Sequence, residues 1–158
     1  MVVGATGAGK STLIDGMINY IMDVAWDDDF RFTLIDLTKE EKENANQQAV
    51  SQTSSITCYE INYQPGSRLN YNLNIIDTPG FGDTRGIDQD KKTVDQIREF
   101  FTADGDKGIE SITAVCFIIP AANARLTNTQ KYVFDSVLCI FGKDIAENIF
   151  VLVTFADG

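Results

Sequence analysis

Nine consecutive residues, Gly4-Ala5-Thr6-Gly7-Ala8-Gly9-Lys10-Ser11-Thr12, spell a complete G-x-x-x-x-G-K-[ST] loop. Glycines let a backbone turn its N–H groups inward around an anion, and a helix that follows points its positive dipole end at the same spot. In that chemistry the amides of Gly4 to Thr12 cradle a polyphosphate, Lys10 reaches its outer phosphates, and the Ser11 hydroxyl completes the shell of a Mg²⁺ ion. Far downstream, Ile75-Ile76-Asp77-Thr78-Pro79-Gly80-Phe81-Gly82-Asp83 is an apolar run ending in Asp-x-x-Gly. A carboxylate at such a strand end orients the metal shell through water, and the Gly80 N–H can meet a terminal phosphate oxygen. Alone, D-x-x-G is more often just a turn. After a phosphate loop, and with Thr53 ahead of the preceding strand to supply a second metal-binding hydroxyl, it becomes the other half of one site. Lys10, Thr53 and Gly80 are thus the candidate catalytic groups, and Ser11, Thr53 and Asp77 the candidate metal-binding groups.

The flanking patterns say what must hold these groups in place. Met1-Val2-Val3 enters the loop as the end of a strand, and Leu13, Ile14, Met17, Ile18 and Ile21 recur at helical spacing to about Met22. The acidic, aromatic run from Val24 to Phe32 lacks clean periodicity. Asp27 to Asp29 there suggest a cation site less than a solvated loop, because no regular ligand spacing follows. Leu37 to Gln48 is polar all round and reads as a mobile helix or loop. Ile56 to Tyr63 and Leu69 to Ile76, with Tyr71, Leu73 and Ile75 on one side, form an antiparallel hairpin around Gln64-Pro65-Gly66-Ser67. Thr84 to Lys92 suits a segment that reorders with the terminal phosphate. Beyond it Val94, Ile97, Phe100 and Phe101 mark a helix, and residues 103–108 a surface loop.

Ile112 to Ile119 is an unbroken apolar run stopped by Pro120, as expected of a parallel strand covered on both faces. Thr127 is placed to cap a helix whose stripe is Val133, Phe134, Val137, Leu138 and Phe141, with Gly142 as its stop. Ile149 to Val153 reads as a last buried strand. Together these elements predict one three-layer α/β domain over residues 1–158, with a mainly parallel sheet, one antiparallel strand and helices on both faces. Both ends look trimmed, with part of the first strand and the final segment of the site missing.

The composition narrows the partners. The chain has 158 residues, 44% of them hydrophobic, enough for one real core. A formal charge of −10, from 23 acidic and 13 basic residues, argues against nucleic acid or anionic membrane as a general partner. A polyphosphate site must then work by local geometry. No apolar run reaches membrane-spanning length and no signal peptide is evident. The 3 cysteines, Cys58, Cys116 and Cys139, are widely spaced in apolar runs, and there is no histidine. They read as core thiols of a reducing, cytoplasmic compartment.

The order of phosphate loop, Thr53, Asp77-Thr78-Pro79-Gly80-Phe81-Gly82-Asp83 and Val153-Thr154-Phe155-Ala156-Asp157 resembles the G domain of the septins. It resembles equally the immunity-associated (GIMAP-type) and chloroplast outer-envelope Toc GTPases. Arg125-Leu126-Thr127, the helix after it and Ile140-Phe141-Gly142-Lys143-Asp144 are similar to a box of the immunity-associated group. The resemblance implies a P-loop NTPase G domain that binds GTP and GDP with Mg²⁺, hydrolyses GTP, and forms a nucleotide-controlled homodimer or higher assembly across its nucleotide face.

By the same resemblance Thr154 and Asp157 occupy the base-reading motif, where a carboxylate accepts the ring N–H and exocyclic amine of guanine. The sequence departs from that motif at Phe155, where these families usually carry Lys; a phenyl ring can also stack on a purine. Phe81 stands where many small GTPases place a water-orienting Gln, which predicts slow hydrolysis, or packs under the mobile segment, or both. Arg85 and Arg125 are candidates for transition-state charge compensation, although most exposed arginines are solvated surface. A non-hydrolysing assembly module and, through Phe155, an ATPase are the alternative readings.

Overall fold

The computed structural model describes residues 1–35, 53, 55–82, 86–102, 111–122 and 125–156. The polar stretch 37–48, the loop 103–108, Arg85 and the base-reading Asp157 lie outside them. The chain runs β1 (Val2–Gly4), α1 (Lys10–Ile21), β2 (Thr57–Ile61), β3 (Leu73–Asp77), α2 (Ile87–Thr102), β4 (Val115–Pro120), α3 (Asn128–Phe141) and β5 (Ile149–Thr154). A 3₁₀ turn over Lys143–Asn148 joins α3 to β5.

The five strands form a single sheet in the order β2-β3-β1-β4-β5. Pairing is parallel except between β2 and β3, which run antiparallel from Thr57 opposite Asp77 to Ile61 opposite Leu73. β1 is the centre, so the loop leaving Gly4 emerges between β3 and β4. Alternate residues along each strand serve opposite faces. Val2, Ile75, Ile61 and Ile118 join Ile14, Ile18 and Ile21 of α1 in one core. Val3, Ile76, Val115 and Phe117 join Ile97 of α2 and Val133 and Val137 of α3 in the other. This is the three-layer arrangement expected, with a mainly parallel sheet and one antiparallel strand.

Local chemistry explains the helix ends. Thr127 accepts from the Gln130 amide while the Gln130 side chain accepts from the Thr127 amide, a complete capping box that starts α3. Gly142, at φ +88°, ends it.

Three sequence expectations are modified. The hairpin strands are shorter than read, and Tyr71 lies outside β3 and exposed. The connection is a longer loop over residues 62–72, tied across its base by the Tyr63 N–H donating to Asn72 Oδ1 at 2.9 Å. Of the segment expected to reorder with the terminal phosphate, the residues from Ile87 onward form the start of α2. β5 is not buried: Phe150, Val151 and Val153 are each more than half exposed, at 54%, 56% and 58%. Among the described residues it pairs with β4 alone, so an apolar run that reads as an interior strand is left with one strand neighbour there. Of the three cysteines, Cys58 and Cys116 are half-buried, whereas Cys139 is exposed on α3 and is no core thiol.

Candidate functional site

The loop between β1 and α1 takes its shape from glycine. Gly9, at φ +87°, caps α1 in the left-handed region, without a side-chain cap and with no acid in the first turn. The positive end of the helix therefore faces the loop without an internal counter-charge. Lys10, the first helical residue, folds back so that its Nζ donates to the carbonyls of Gly4 and Ala5, both at 3.2 Å. Only 7% of Lys10 is exposed. Burial pushes its ammonium down to about 8 from 10.5, with the Asp77 carboxylate opposing the shift. A charged amine held in so dry a place is poised for an anion. Ser11 follows on the same turn, half-buried.

Opposite the loop, β3 delivers Asp77, which is fully buried. The Thr53 hydroxyl donates to Asp77 Oδ2 at 3.3 Å, so the two oxygen groups expected to serve one cation do meet. Thr78 fastens the next turn by donating to the Val2 carbonyl at 2.8 Å. Gly80 then passes so close to the loop that a Cβ there would lie 2.5 Å from Thr6 Oγ1 and 2.8 Å from Thr6 Cα. Only glycine allows that approach. Phe81 continues as a one-residue strand beside Ala5, its N–H donating to Gly4 at 3.2 Å and its carbonyl accepting from Thr6 at 2.8 Å. The Phe81 ring is wholly buried in the core with Ile97 and Val133.

These bonds narrow the expected cradle. The Thr6 amide is committed to Phe81 and the Ala8 amide to Ala5 at 3.1 Å. Gly7, Gly9 and the first turn of α1 are the backbone left to face an anion.

At the third corner, Thr154 ends β5 and donates to the Ala8 carbonyl at 2.7 Å. Phe155 sits at φ +52°, unusual for a residue with a side chain. Its ring is 62% exposed and lies 3.5 Å from where a Gly9 Cβ would stand. The structure thus brings together Lys10, Thr53, Asp77, Gly80 and Thr154 around one loop. Arg125 is exposed and makes no hydrogen bond or ion pair among the described contacts.

Sequence reasoning missed one anchor. Asp90, buried on α2, accepts from the Gly82 N–H at 2.8 Å and ties the end of the Asp77–Gly82 segment to a helix. One aspartate in a helix rich in charge carries no signal of that role.

The donor set suits a hard cation held largely by hydroxyl and phosphate oxygens. Thr53 and Asp77 provide oxygen at one point, and no cluster of three His, Cys, Asp or Glu occurs among the described residues to form an all-protein cage. Among the same residues, no helix is long and apolar enough to cross a membrane.

Comparisons with known proteins bear on the family and the fold. In sequence, 84 residues, 52% of this chain, are 38% identical to cell division control protein 10 of Saccharomyces cerevisiae, a match over 21% of that protein. In structure, Toc33 from Arabidopsis thaliana in complex with GDP and Mg²⁺ superposes with a TM-score of 0.60 at 17% identity. A dimerization-deficient Toc33 mutant gives 0.59 at 18%. Each superposition covers 96% of this chain and 48% of the Toc33 chain, so the chain spans about half the length of those structures and about a fifth of the yeast protein. At such identities the Toc33 likeness establishes the fold. Residues 1–109, more than half of the chain, match the Septin family model, and the chain belongs to the septin family.

Proposed function

We propose that this domain binds guanine nucleotide with Mg²⁺, hydrolyses GTP to GDP slowly, and uses the bound nucleotide to control assembly with further copies through the nucleotide face. The observation that carries this reading is the meeting of a buried ammonium, a hydroxyl–carboxylate pair and a close-packed glycine around one phosphate loop. Backbone amides of Gly7, Gly9 and the first turn of α1 hold the phosphates, and Lys10 neutralises the bridge between the outer two. Ser11 and Thr53 supply hydroxyl ligands to Mg²⁺, and Asp77 holds its water. When bound, the ion would supply charge neutralisation to the phosphates. Gly80 offers its N–H to the terminal phosphate. Asp157 accepts from guanine, with Thr154 fixing that segment to the loop through Ala8.

Phosphoryl transfer is catalysed mainly by positioning and charge stabilisation. Phe81, buried and apolar, cannot hold an attacking water, which supports a slow rate. The same burial supports a second reading, in which nucleotide is a structural ligand that is hardly hydrolysed. Single-turnover hydrolysis at low and high protein concentration separates the two: a rate that rises with concentration supports the assembling GTPase, and none at any concentration supports the scaffold. ATP competing with fluorescent GDP as well as GTP does would overturn the guanine assignment.

A further inference from the structure

One polar group at the site has no role in this scheme. Thr6 Oγ1 is buried and makes no hydrogen bond among the described residues. The backbone that carries it is held against Phe81, the Thr6 N–H donating to the Phe81 carbonyl and the Gly4 carbonyl accepting from the Phe81 N–H. The hydroxyl lies against Gly80, 2.5 Å from the point a Cβ would occupy. Lys10, by contrast, turns toward the carbonyls of Gly4 and Ala5. A buried hydroxyl without a partner costs free energy that a ligand oxygen recovers, and a bond to a charged acceptor is the stronger kind.

We infer that the Thr6 side chain is a reader of the terminal phosphate, its Oγ1–H donating to a phosphate oxygen that GTP has and GDP lacks. The inference rests on the guanine-nucleotide reading and adds to it a side-chain hydroxyl beside the Lys10 ammonium and the Gly80 amide already assigned to the outer phosphates. Because Thr6 also touches Gly80 and bonds Phe81, the phosphate that takes its hydroxyl meets both walls of the site at once. Discrimination between triphosphate and diphosphate is then carried partly by this residue, beyond what Lys10 and Mg²⁺ give to either nucleotide.

The test compares Thr6→Val, which keeps the shape and removes the hydroxyl, with Thr6→Ser, which keeps the hydroxyl. Affinities for GDP and for a non-hydrolysable GTP analogue are measured by calorimetry with Mg²⁺. Thr6→Val is expected to hold GDP within about twofold of the parent and to lose roughly tenfold or more for the analogue, while Thr6→Ser retains both. A Thr6→Val protein with the parent's ratio of the two affinities overturns the inference, as does equal loss of GDP by both variants, which would mark a packing role. A parent protein that binds neither nucleotide overturns the guanine-nucleotide reading and this inference with it.

Discussion

Replacing Lys10 by Met should stabilise the nucleotide-free protein at neutral pH while abolishing its ligand. The ammonium is almost fully buried, and desolvation lowers its pKa from 10.5 to about 8. A shift of that size corresponds to roughly 3 kcal/mol of destabilisation at pH 7, at about 1.4 kcal/mol per unit. Against this, Met loses the bonds to the Gly4 and Ala5 carbonyls, each contributing about 1 kcal/mol. The net gain for Lys10→Met at pH 7 is thus about 1 kcal/mol. The pH dependence is the sharper quantity. Between about pH 8 and 10.5 the unfolded chain binds more protons at Lys10 than the folded one, so the parent gains stability as pH rises through that window. The variant does not. Urea denaturation in metal-free, nucleotide-free buffer at pH 7 and pH 10 reads the difference directly. The variant should be the more stable at pH 7 and the less stable near pH 10. A difference between the two proteins that stays constant across that range would refute the reasoning.

Three further outcomes follow from contacts around the same site. Gly80→Ala places a methyl 2.8 Å from Thr6 Cα, backbone that cannot rotate away, so Gly80 must retreat from the loop; preference for a GTP analogue over GDP should fall about tenfold or more with GDP affinity little changed, and an unchanged ratio would contradict it. Asp90→Ala leaves the Gly82 N–H without its acceptor and should cost about 1–3 kcal/mol in urea denaturation; a loss below about 0.5 kcal/mol would show that the anchor is dispensable. Phe155→Ala removes a ring lying against Gly9 and should weaken GDP binding by about two- to tenfold without lowering stability, and unchanged GDP affinity would remove the ring from the base site.

The loop was legible in the sequence because its chemistry dictates residue type at every step: glycine where the backbone turns or crowds, Lys10 where charge is needed. The same holds for Asp77 and Gly80, whose spacing follows from a strand end and one turn. Both core faces were legible too, since Ile14, Ile18 and Ile21 repeat at helical spacing and the strand residues alternate. What escaped depends on distant partners. The apolar run of β5 says that it is built to be covered, yet among the described residues its only strand neighbour is β4, and no local pattern states which strands pair. Asp90 acts through Gly82, across a turn whose path the residues between them do not reveal. Tyr71 obeys strand alternation but sits in a loop, because beyond the Ile61–Leu73 pair the Tyr63 N–H bonds to the Asn72 side chain instead of continuing the ladder.

Calorimetric titration of the purified protein with GDP, with and without Mg²⁺, tests the central claim most directly. The account predicts 1:1 binding that Mg²⁺ strengthens and that Lys10→Met abolishes. No uptake of GDP or GTP in either condition, or binding that survives loss of the Lys10 ammonium unchanged, would contradict it.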